Sequence, residues 1–328
     1  METLVEIQDL KVGFPARSGG WFRKHEPLFA VNGVSLDIAE GTTLGLVGES
    51  GCGKTTLGRA ILRLVEPSSG TICFSGKDIT RWSGRSLRQL RRDMQIVFQD
   101  PLGSLNPRMT LEQILWEPYT IHASVSRSKR RESSANLLFR VGLSDAYLDR
   151  YPHELSGGQR QRVGIARSIA LSPKFIVCDE PVSALDVSIQ AQILRLLEEL
   201  KRDLSLTYLF IAHNLAVIER ISDRVAVMYL GKVVEIGNTV DVFKSPQHPY
   251  TQALLASVPD LHATKEIRVP IMGEPPDPAN PPSGCAFHPR CPIATERCRN
   301  EAPKLEALSV QAPSHQVACH YAEATYVK

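Results

Sequence analysis

The sequence contains no long apolar run and no strong excess of charge of either sign. No stretch approaches the roughly 18 apolar residues of a membrane-spanning helix. The opening residues, METLVEIQDLKVGF, have no apolar core and carry three acids, so we expect no secretory leader. The net charge is only +3, from 38 basic and 35 acidic residues, and does not indicate nucleic acid as a partner. A chain of 328 residues predicts one large globular domain and a smaller one.

Strand-like and helix-like segments alternate along the chain. VEIQDLKVGF alternates apolar and polar residues, which predicts an edge strand, and RVAVMYLGKVVEIG indicates a hairpin. TTLGLVG (42–48) predicts a strand, while KFIVCD (174–179) and LTYLFIAH (206–213) predict buried strands of the parallel type. From about residue 100 to 170 the pattern becomes helical and more polar. These features predict an α/β fold interrupted by a helical insertion.

GESGCGKT, residues 48 to 55, fits the pattern G-x-x-x-x-G-K-[ST] between a predicted strand and a predicted helix. Its glycines let backbone N–H groups face phosphate oxygens, and the helix N-terminus favours negative charge. In this pattern Lys54 reaches the β- and γ-phosphates and the Thr55 hydroxyl binds Mg²⁺. The predicted nucleotide-binding residues in this segment are Gly48, Glu49, Ser50, Gly51, Cys52, Gly53, Lys54, Thr55 and Thr56.

Two carboxylates follow the apolar strand in FIVCDE. Asp179 at the end of that strand is a predicted ligand of Mg²⁺, and Glu180 is placed to polarise an attacking water. Two acids could also form a surface turn, but their position after a P-loop favours a hydrolysis site. The guanine-reading motif N-K-x-D is absent, so the sequence does not indicate a GTPase.

LSGGQRQRVGIARSIA, residues 155 to 170, predicts a long helix that opens on a serine and two glycines. Its N-terminus is a second anion-binding helix end in one chain. A chain needs only one γ-phosphate-binding site for the nucleotide that it binds. We therefore expect the second site to contact a nucleotide bound by another subunit. The alternative is a helix that merely begins with glycines.

These motifs resemble those of the ABC-transporter ATPases. GESGCGKTT matches their Walker A motif, FIVCDE their Walker B motif, LSGGQ their signature and SALD (183–186) their D-loop. By the same resemblance Gln99 is the Q-loop glutamine and His213 the switch histidine. Phe14 is the match for the aromatic that stacks on adenine, with Phe22 and Phe29 as competing positions. The resemblance implies a P-loop ATPase core with an antiparallel β subdomain and a helical subdomain.

The resemblance also implies a mechanism in which two ATPase subunits close head to tail around ATP. Lys54, Gln99, Glu180 and His213 would be catalytic, with Glu180 orienting water and His213 holding the γ-phosphate. Mg²⁺ would be held by Thr55, Gln99 and Asp179. The signature residues that would contact the partner's nucleotide are Ser156, Gly157, Gly158 and Gln159.

Finer features resemble one branch of this family. MQIVFQDPLGSLNPRMT and SPQHPYTQALLASVP are similar to segments in the ATPases of bacterial dipeptide, oligopeptide and nickel importers. The resemblance implies a different ATPase as partner, two membrane permease subunits, a periplasmic solute-binding protein, and a peripheral location on the cytoplasmic face of the inner membrane. Peptide is the predicted cargo. The alternatives are import of nickel or another small solute, an ABC ATPase without a membrane partner, and a metabolite kinase.

A proline-rich stretch predicts a boundary between a domain over residues 1–258 and a C-terminal segment over 259–328 that begins with this linker. By the resemblance, residues 1–258 form the ABC ATPase domain.

Cys52, Cys73 and Cys178 fall in the P-loop or strands and are expected to be buried apolar side chains. The segment carries the other four cysteines, Cys285, Cys291, Cys298 and Cys319. An ATPase that uses cellular ATP lies on the cytoplasmic side of the membrane, where disulfides are rarely stable. We therefore do not expect these cysteines to form disulfides. The spacing of the four cysteines favours a zinc site and an iron–sulfur site equally. His288, His315 and His320 are candidates to replace a missing cysteine ligand. Resemblance to dipeptide-importer ATPases implies a [4Fe–4S] cluster on the four thiolates.

Overall fold

The chain packs as two units, each assembled from separate stretches of sequence. The computed structural model describes residues 2–15, 28–122, 126–257, 273–309 and 312–322. Unit 1 contains Met1–Leu4, Ile38–Thr43 and Arg81–Ala212. Unit 2 contains Val5–Asp37, Leu44–Thr80 and His213–Lys328. The predicted domain boundary at residue 258 lies outside the described residues and stays a prediction.

The bounds of the strands and α-helices in the described residues are as follows. The strands are β1 (Thr3–Phe14), β2 (Leu28–Ala39), β3 (Thr43–Val47), β4 (Ser69–Phe74), β5 (Lys77–Asp78), β6 (Met94–Val97), β7 (Phe175–Asp179), β8 (Thr207–Ile211), β9 (Arg224–Tyr229), β10 (Lys232–Asn238), β11 (Glu306–Ser309) and β12 (Ala312–Val317). The helices are α1 (Lys54–Ile61), α2 (Gly84–Asp93), α3 (Pro101–Ser104), α4 (Leu111–His122), α5 (Arg130–Arg140), α6 (Gly157–Ile169), α7 (Val187–Leu204), α8 (Leu215–Ile221), α9 (Thr239–Lys244), α10 (Pro249–Ala256) and α11 (Glu296–Asn300).

In unit 1, β6, β7 and β8 pair in parallel. Every residue of β7 and β8 is buried, which explains why the sequence shows them as continuous apolar runs. The connection between these two strands is α7, which turns Ile193, Leu197 and Leu200 toward the interior. Parallel pairing brings the carboxyl end of β7, where Asp179 lies, to the same edge of the sheet as the end of β8.

The helices of unit 1 between residues 101 and 169 account for the polar helical pattern in the sequence. Helices α4, α5 and α6 contact one another, and α3 contacts α6. Leu111, Ile114 and Leu115 of α4 form the buried side of this group with Leu137 and Leu138 of α5. The group therefore has its own apolar interior, and α6 carries the signature motif at its N-terminus.

Unit 2 contains an antiparallel sheet with the strand order β2-β1-β4-β5. The sequence interpretation of VEIQDLKVGF as an edge strand was wrong, because β1 lies between β2 and β4. Alternation reports that one face of a strand is buried, and Val5, Ile7 and Leu10 do face the interior. It carries no information on whether both edges of the strand are paired.

The remaining strands of unit 2 pair in the order β11-β12-β10-β9-β3. β3 pairs in parallel with β9, and β9 forms an antiparallel hairpin with β10, as the sequence predicted. β12 continues this arrangement by pairing with β10, and β11 pairs with β12. Residues near the C-terminus thus pair directly with β10, a strand that lies more than 70 residues earlier in the chain.

The fold prediction is confirmed as an α/β P-loop architecture with a mixed sheet and an antiparallel sheet. Helices α3 to α6 lie in the predicted helical region. Over the described ranges, no helix combines the length and apolar character required to cross a bilayer.

Candidate active site

The loop between β3 and α1 has the backbone shape that its glycines predicted. Gly48 and Gly53 both adopt positive φ, at 151° and 104°. A Cβ atom on Gly48 would lie 2.1 Å from the carbonyl oxygen of Met228, and one on Gly53 would lie 2.0 Å from that of Ala30. Only glycine fits at these two positions, because neighbouring backbone closes on the loop from β2 and from the end of β9.

The ammonium group of Lys54 folds back over this loop. Lys54 is buried, and its Nζ donates to the carbonyl oxygens of Gly48, at 2.7 Å, and Glu49, at 2.9 Å. Cys52 is held by a hydrogen bond from the Gly231 N–H to its carbonyl oxygen, and burial raises the pKa of its thiol. A buried lysine aimed across a loop with left-handed glycines fits a polyphosphate, whose oxygens would replace the two carbonyl acceptors.

The other predicted loop residues differ in exposure. Ser50 and Gly51 are exposed, whereas Thr55 and Thr56, in the first turn of α1, are half-buried. Thr55 is thus positioned at the helix N-terminus, where the sequence predicted a ligand for Mg²⁺.

Glu49 is bound on its side chain and on its backbone by residues that sequence reasoning did not assign to the site. The guanidinium of Arg290 donates two hydrogen bonds to its carboxylate, at 2.9 and 3.0 Å. The hydroxyl of Tyr250 accepts the Glu49 N–H at 2.9 Å. Tyr229 accepts a further hydrogen bond from Arg290 at 3.3 Å. The motif HPYT, which contains Tyr250, was a signal for part of this network, but nothing in the sequence connects Arg290 with Glu49.

In unit 1 the structure brings Gln99 and Glu180 together. Gln99 Nε2 donates to Glu180 Oε2 at 2.8 Å. Asp179 is buried at the end of β7, with 2% of its surface exposed. Glu180 has a φ of 48°, which a non-glycine residue rarely adopts, and its N–H is bonded to the carbonyl of Ile211. Backbone strain at a carboxylate that directly follows a parallel strand is typical of a functional position.

The signature segment begins α6 with a reciprocal cap. Ser156 Oγ accepts the Gln159 N–H at 3.3 Å, and Gln159 Oε1 accepts the Ser156 N–H at 3.0 Å. Ser156 and Gly157 are exposed, so this helix terminus faces solvent. A Cβ on Gly158 would lie 2.7 Å from Ile189 Cγ2, so a larger residue at this position would have to displace the Ile189 side chain. The capping role of Ser156 and Gln159 comes in addition to the contacts predicted for them.

Two other predicted site residues, His213 and Phe14, lie beside the ends of secondary-structure elements. His213 is exposed just before α8, and Phe14 is 41% exposed at the end of β1. Phe22 lies outside the described residues. Gln99 and Asp179 belong to unit 1, whereas Thr55 belongs to unit 2. The Mg²⁺ ligands and the catalytic and nucleotide-contact roles of these residues therefore stay predictions.

The HPYT segment caps α10 with a buried neutral histidine. The Nδ1 atom of His248 accepts the Tyr250 N–H at 3.0 Å, and the His248 N–H donates to the carboxylate of Glu235 at 2.9 Å. Burial lowers the pKa of His248 to about 4, although Glu235 acts in the opposite direction. Glu235 is itself fully buried and also bonds to Nε2 of His315, at 2.8 Å. This network joins β10, α10 and β12.

The four C-terminal cysteines line one small cavity in unit 2, together with Phe287, His288 and His320. The backbone N–H of Tyr321 donates to Sγ of Cys319 at 3.4 Å. Burial raises the pKa of the Cys285, Cys291 and Cys319 thiols, that of Cys291 to about 11.

No disulfide joins any of the seven cysteines, and Cys73 is half-buried rather than fully buried. Across the described ranges, no three His, Cys, Asp or Glu side chains are arranged so that they could hold a metal ion. The histidines considered as substitute ligands have other partners. His288 lies 3.0 Å from the carbonyl of Cys285, His320 lies 3.0 Å from that of Glu301, and His315 pairs with Glu235. The predicted metal centre stays a prediction.

Comparison with known families agrees with the motifs. A family described as ABC transporter matches residues 31–183. A second family, the C-terminal region of oligopeptide/dipeptide transporters, matches residues 234–298 and thus includes the HPYT segment and three of the four C-terminal cysteines.

Individual proteins resemble nearly the whole chain. The oligopeptide transport ATP-binding protein AppF of Bacillus subtilis is 52% identical over 97% of each chain. The di/tripeptide transport ATP-binding protein DppF of Pseudomonas aeruginosa is 48% identical over 98% of this chain and 99% of that protein. A solved dimeric ATP-binding cassette with ADP and phosphate has a TM-score of 0.64 and 27% identity, covering 72% of this chain and 99% of its own. The resemblance inferred from the motifs is confirmed: the chain belongs to the ATP-binding proteins of ABC transporters, in the group that carries the oligopeptide/dipeptide transporter C-terminal region.

Proposed function

We propose that this chain binds and hydrolyses ATP to drive the uptake of di- and oligopeptides across the inner membrane. The observation that carries the proposal is the similarity, over nearly the full chain, to ATP-binding proteins named for oligopeptide and di/tripeptide transport. The C-terminal family match adds to it, because that region is named for the same two cargo classes. Import of nickel or another small solute, and action without a membrane partner, are the alternatives.

The P-loop in unit 2 would hold the phosphates of ATP. Its N–H groups and the N-terminus of α1 supply positive potential, and Lys54 supplies a full charge. Thr55, Gln99 and Asp179 would hold Mg²⁺, since hydroxyl, amide and carboxylate oxygens suit this ion. When bound, Mg²⁺ supplies charge that stabilises the phosphoryl group during transfer. Phe14 is the proposed contact for adenine, and its exposed ring is free of the core.

Glu180 would orient the water that attacks the γ-phosphate. Its hydrogen bond to Gln99 supports this role, because a catalytic carboxylate needs an orienting partner. Gln99 connects the end of β6 with the helical region that begins at α3. A change at that region would therefore alter the position of the Glu180 carboxylate. His213, which follows β8, would hold the γ-phosphate and the water.

The exposed N-terminus of α6 would complete the site of a second ATPase subunit. Ser156, Gly157 and Gly158 offer hydrogen-bond donors at the positive end of a 13-residue helix. The cap between Ser156 and Gln159 supports the proposal, since it fixes the helix end before a partner arrives. ATP held between this terminus and a facing P-loop favours the closed pair, and hydrolysis removes that preference.

We further propose that the second subunit is a different ATPase and that two permease subunits and a periplasmic solute-binding protein complete the importer. The chain would then lie on the cytoplasmic face of the inner membrane. Affinity purification from detergent-solubilised membranes tests this assembly. We expect two permease proteins and one other ATPase to co-purify with this chain. Recovery of the chain alone, or with ribosomes, contradicts the proposal.

For the four C-terminal cysteines we propose a [4Fe–4S] cluster with a structural or sensing role, with zinc as the alternative. In the described ranges these side chains are not arranged as a metal site. Two observations nevertheless favour metal binding: the four thiols line one cavity, and the Tyr321 N–H donates to the sulfur of Cys319. Hydrogen bonds to sulfur stabilise thiolates on a cluster. A metal would have to displace the thiol protons, so loading should be accompanied by their release.

A further inference from the structure

Glu49 in the P-loop is fixed at three points, and the strongest contact comes from the C-terminal segment. Its carbonyl oxygen accepts from Lys54, its N–H donates to Tyr250, and its carboxylate receives both prongs of the Arg290 guanidinium. The Arg290 side chain is 6% exposed and that of Glu49 is 24% exposed. A bidentate, partly desolvated ion pair fixes both the distance and the orientation between the two side chains, which a single hydrogen bond does not.

Arg290 is itself held in place by its surroundings. It ends the short 3-10 helix His288–Arg290, directly before Cys291. Phe287, just before this helix, packs against the rings of Tyr229 and Tyr250 at centroid distances of 5.3 and 5.4 Å. Burial alone would lower the pKa of the Arg290 guanidinium, but its hydrogen bonds with Glu49 and Tyr229 outweigh this effect and raise it. Arg290 is therefore a preorganised, permanently charged donor.

The position of Glu49 gives this contact a consequence for ATP. A carboxylate in a phosphate-binding loop repels the polyphosphate unless a cation neutralises it. Arg290 supplies that cation without occupying the loop, because it approaches Glu49 from the C-terminal segment. The same contact also restrains the backbone of the residue that follows Gly48, where the loop begins to turn.

We propose that Arg290 is a positioning residue for the nucleotide: by pairing with Glu49 it holds the P-loop in its binding shape and cancels the charge of the carboxylate. ATP affinity thereby depends on how the cysteine-bearing segment packs, since Arg290 lies between Cys285 and Cys291. The inference rests on ATP binding at the P-loop and does not depend on the cargo or on any metal at the cysteines.

The test measures the Kd for ATP of the full-length chain, by displacement of a fluorescent ATP analogue, and the KM and kcat in the assembled importer. We expect Arg290→Gln to raise Kd and KM about 10-fold, because a charged hydrogen-bonded pair is lost and the carboxylate is left unpaired. The kcat at saturating ATP should stay within about twofold of the parent value, since the reacting groups are untouched. Adding Glu49→Gln to Arg290→Gln should recover part of the affinity. A merely structural loss at Arg290 would not be rescued in this way.

Arg297→Gln is the matched control, because Arg297 is an exposed arginine of the same segment whose ion pair is local, with Glu301 directly after its helix. Its Kd should equal that of the parent. A parental Kd in folded Arg290→Gln overturns the proposal, as does a double variant no better than the single one. If Arg290→Gln does not fold, Arg290→Lys is the second variant, because lysine keeps the charge but cannot make the bidentate pair with Glu49. Its Kd for ATP should rise about 3-fold. A parental Kd in Arg290→Lys would then overturn the proposal.

Discussion

Replacing His248 by asparagine should reduce the loss of folding stability that the protein suffers between pH 7 and pH 5. His248 is fully buried, accepts the Tyr250 N–H, and is surrounded by Tyr250, Phe287 and the carboxylate of Glu235. Its pKa is lowered from 6.5 to about 4. Asparagine is a good N-cap, so the variant keeps an acceptor for the helix N–H while it removes the titrating ring.

Mild acid destabilises the parent because His248 binds a proton more readily in the unfolded chain than in the folded protein. Between about pH 4 and 6.5 the unfolded chain takes up a proton at His248 that the folded protein does not, so folding weakens as the pH falls through this window. The two pKa values give a loss of about 2 kcal/mol between pH 7 and pH 5 from this residue. Titrating groups that do not contact His248 contribute equally in parent and variant to first order.

The assay is urea unfolding of parent and His248→Asn at both pH values. Asparagine is smaller, and the resulting packing loss lowers the stability of the variant at pH 7 and pH 5 alike. The difference between the two pH values should nevertheless be about 2 kcal/mol smaller in the variant. His153→Asn, which removes an exposed histidine, is the control and should keep the parental difference. Equal losses in the parent and in His248→Asn would refute a neutral, buried His248.

Three further predictions concern chemistry. Lys54→Ala should weaken ATP binding at least about 10-fold in a fluorescent-nucleotide titration, because a phosphate-facing charge is lost, whereas parental affinity would exclude Lys54 from the site. Glu180→Gln should keep ATP binding, lower hydrolysis by at least about 100-fold and accumulate an ATP-bound pair in gel filtration; near-normal turnover would remove Glu180 from catalysis. Anaerobically purified protein should be brown with about four irons per chain, and Cys298→Ser should bleach it. Colourless protein with one zinc, or no metal, rules out the cluster.

The features that the sequence predicted correctly are local elements of structure. The P-loop glycines, Lys54 and the buried strand that ends at Asp179 follow from short patterns, because a strand, a tight loop and a helix start are local events. Gly158 was predicted as a nucleotide contact, and it also packs closely against Ile189 on α7. Local sequence therefore predicts the strand, the loop and the helix start, but not the packing of Gly158 against a distant helix.

The contacts that sequence reasoning missed join residues far apart in the chain. Arg290 and Glu49 are separated by 241 positions, Tyr250 and Glu49 by 201, and His315 and Glu235 by 80. No periodicity or spacing relates such pairs, since they depend on how β10, α10 and the C-terminal segment pack. The error on β1 has the same origin, because the strands that cover its edges come from other parts of the sequence.

We propose that this chain hydrolyses ATP through Glu180 in order to import peptides. The most direct measurement is ATP hydrolysis by the importer in lipid vesicles, assembled with this chain and its permease and ATPase partners, with and without peptide-loaded binding protein. We predict that the peptide-loaded binding protein raises the hydrolysis rate severalfold and that Glu180→Gln abolishes both basal and stimulated rates. A rate that ignores peptide, or one that survives Glu180→Gln, would contradict the account.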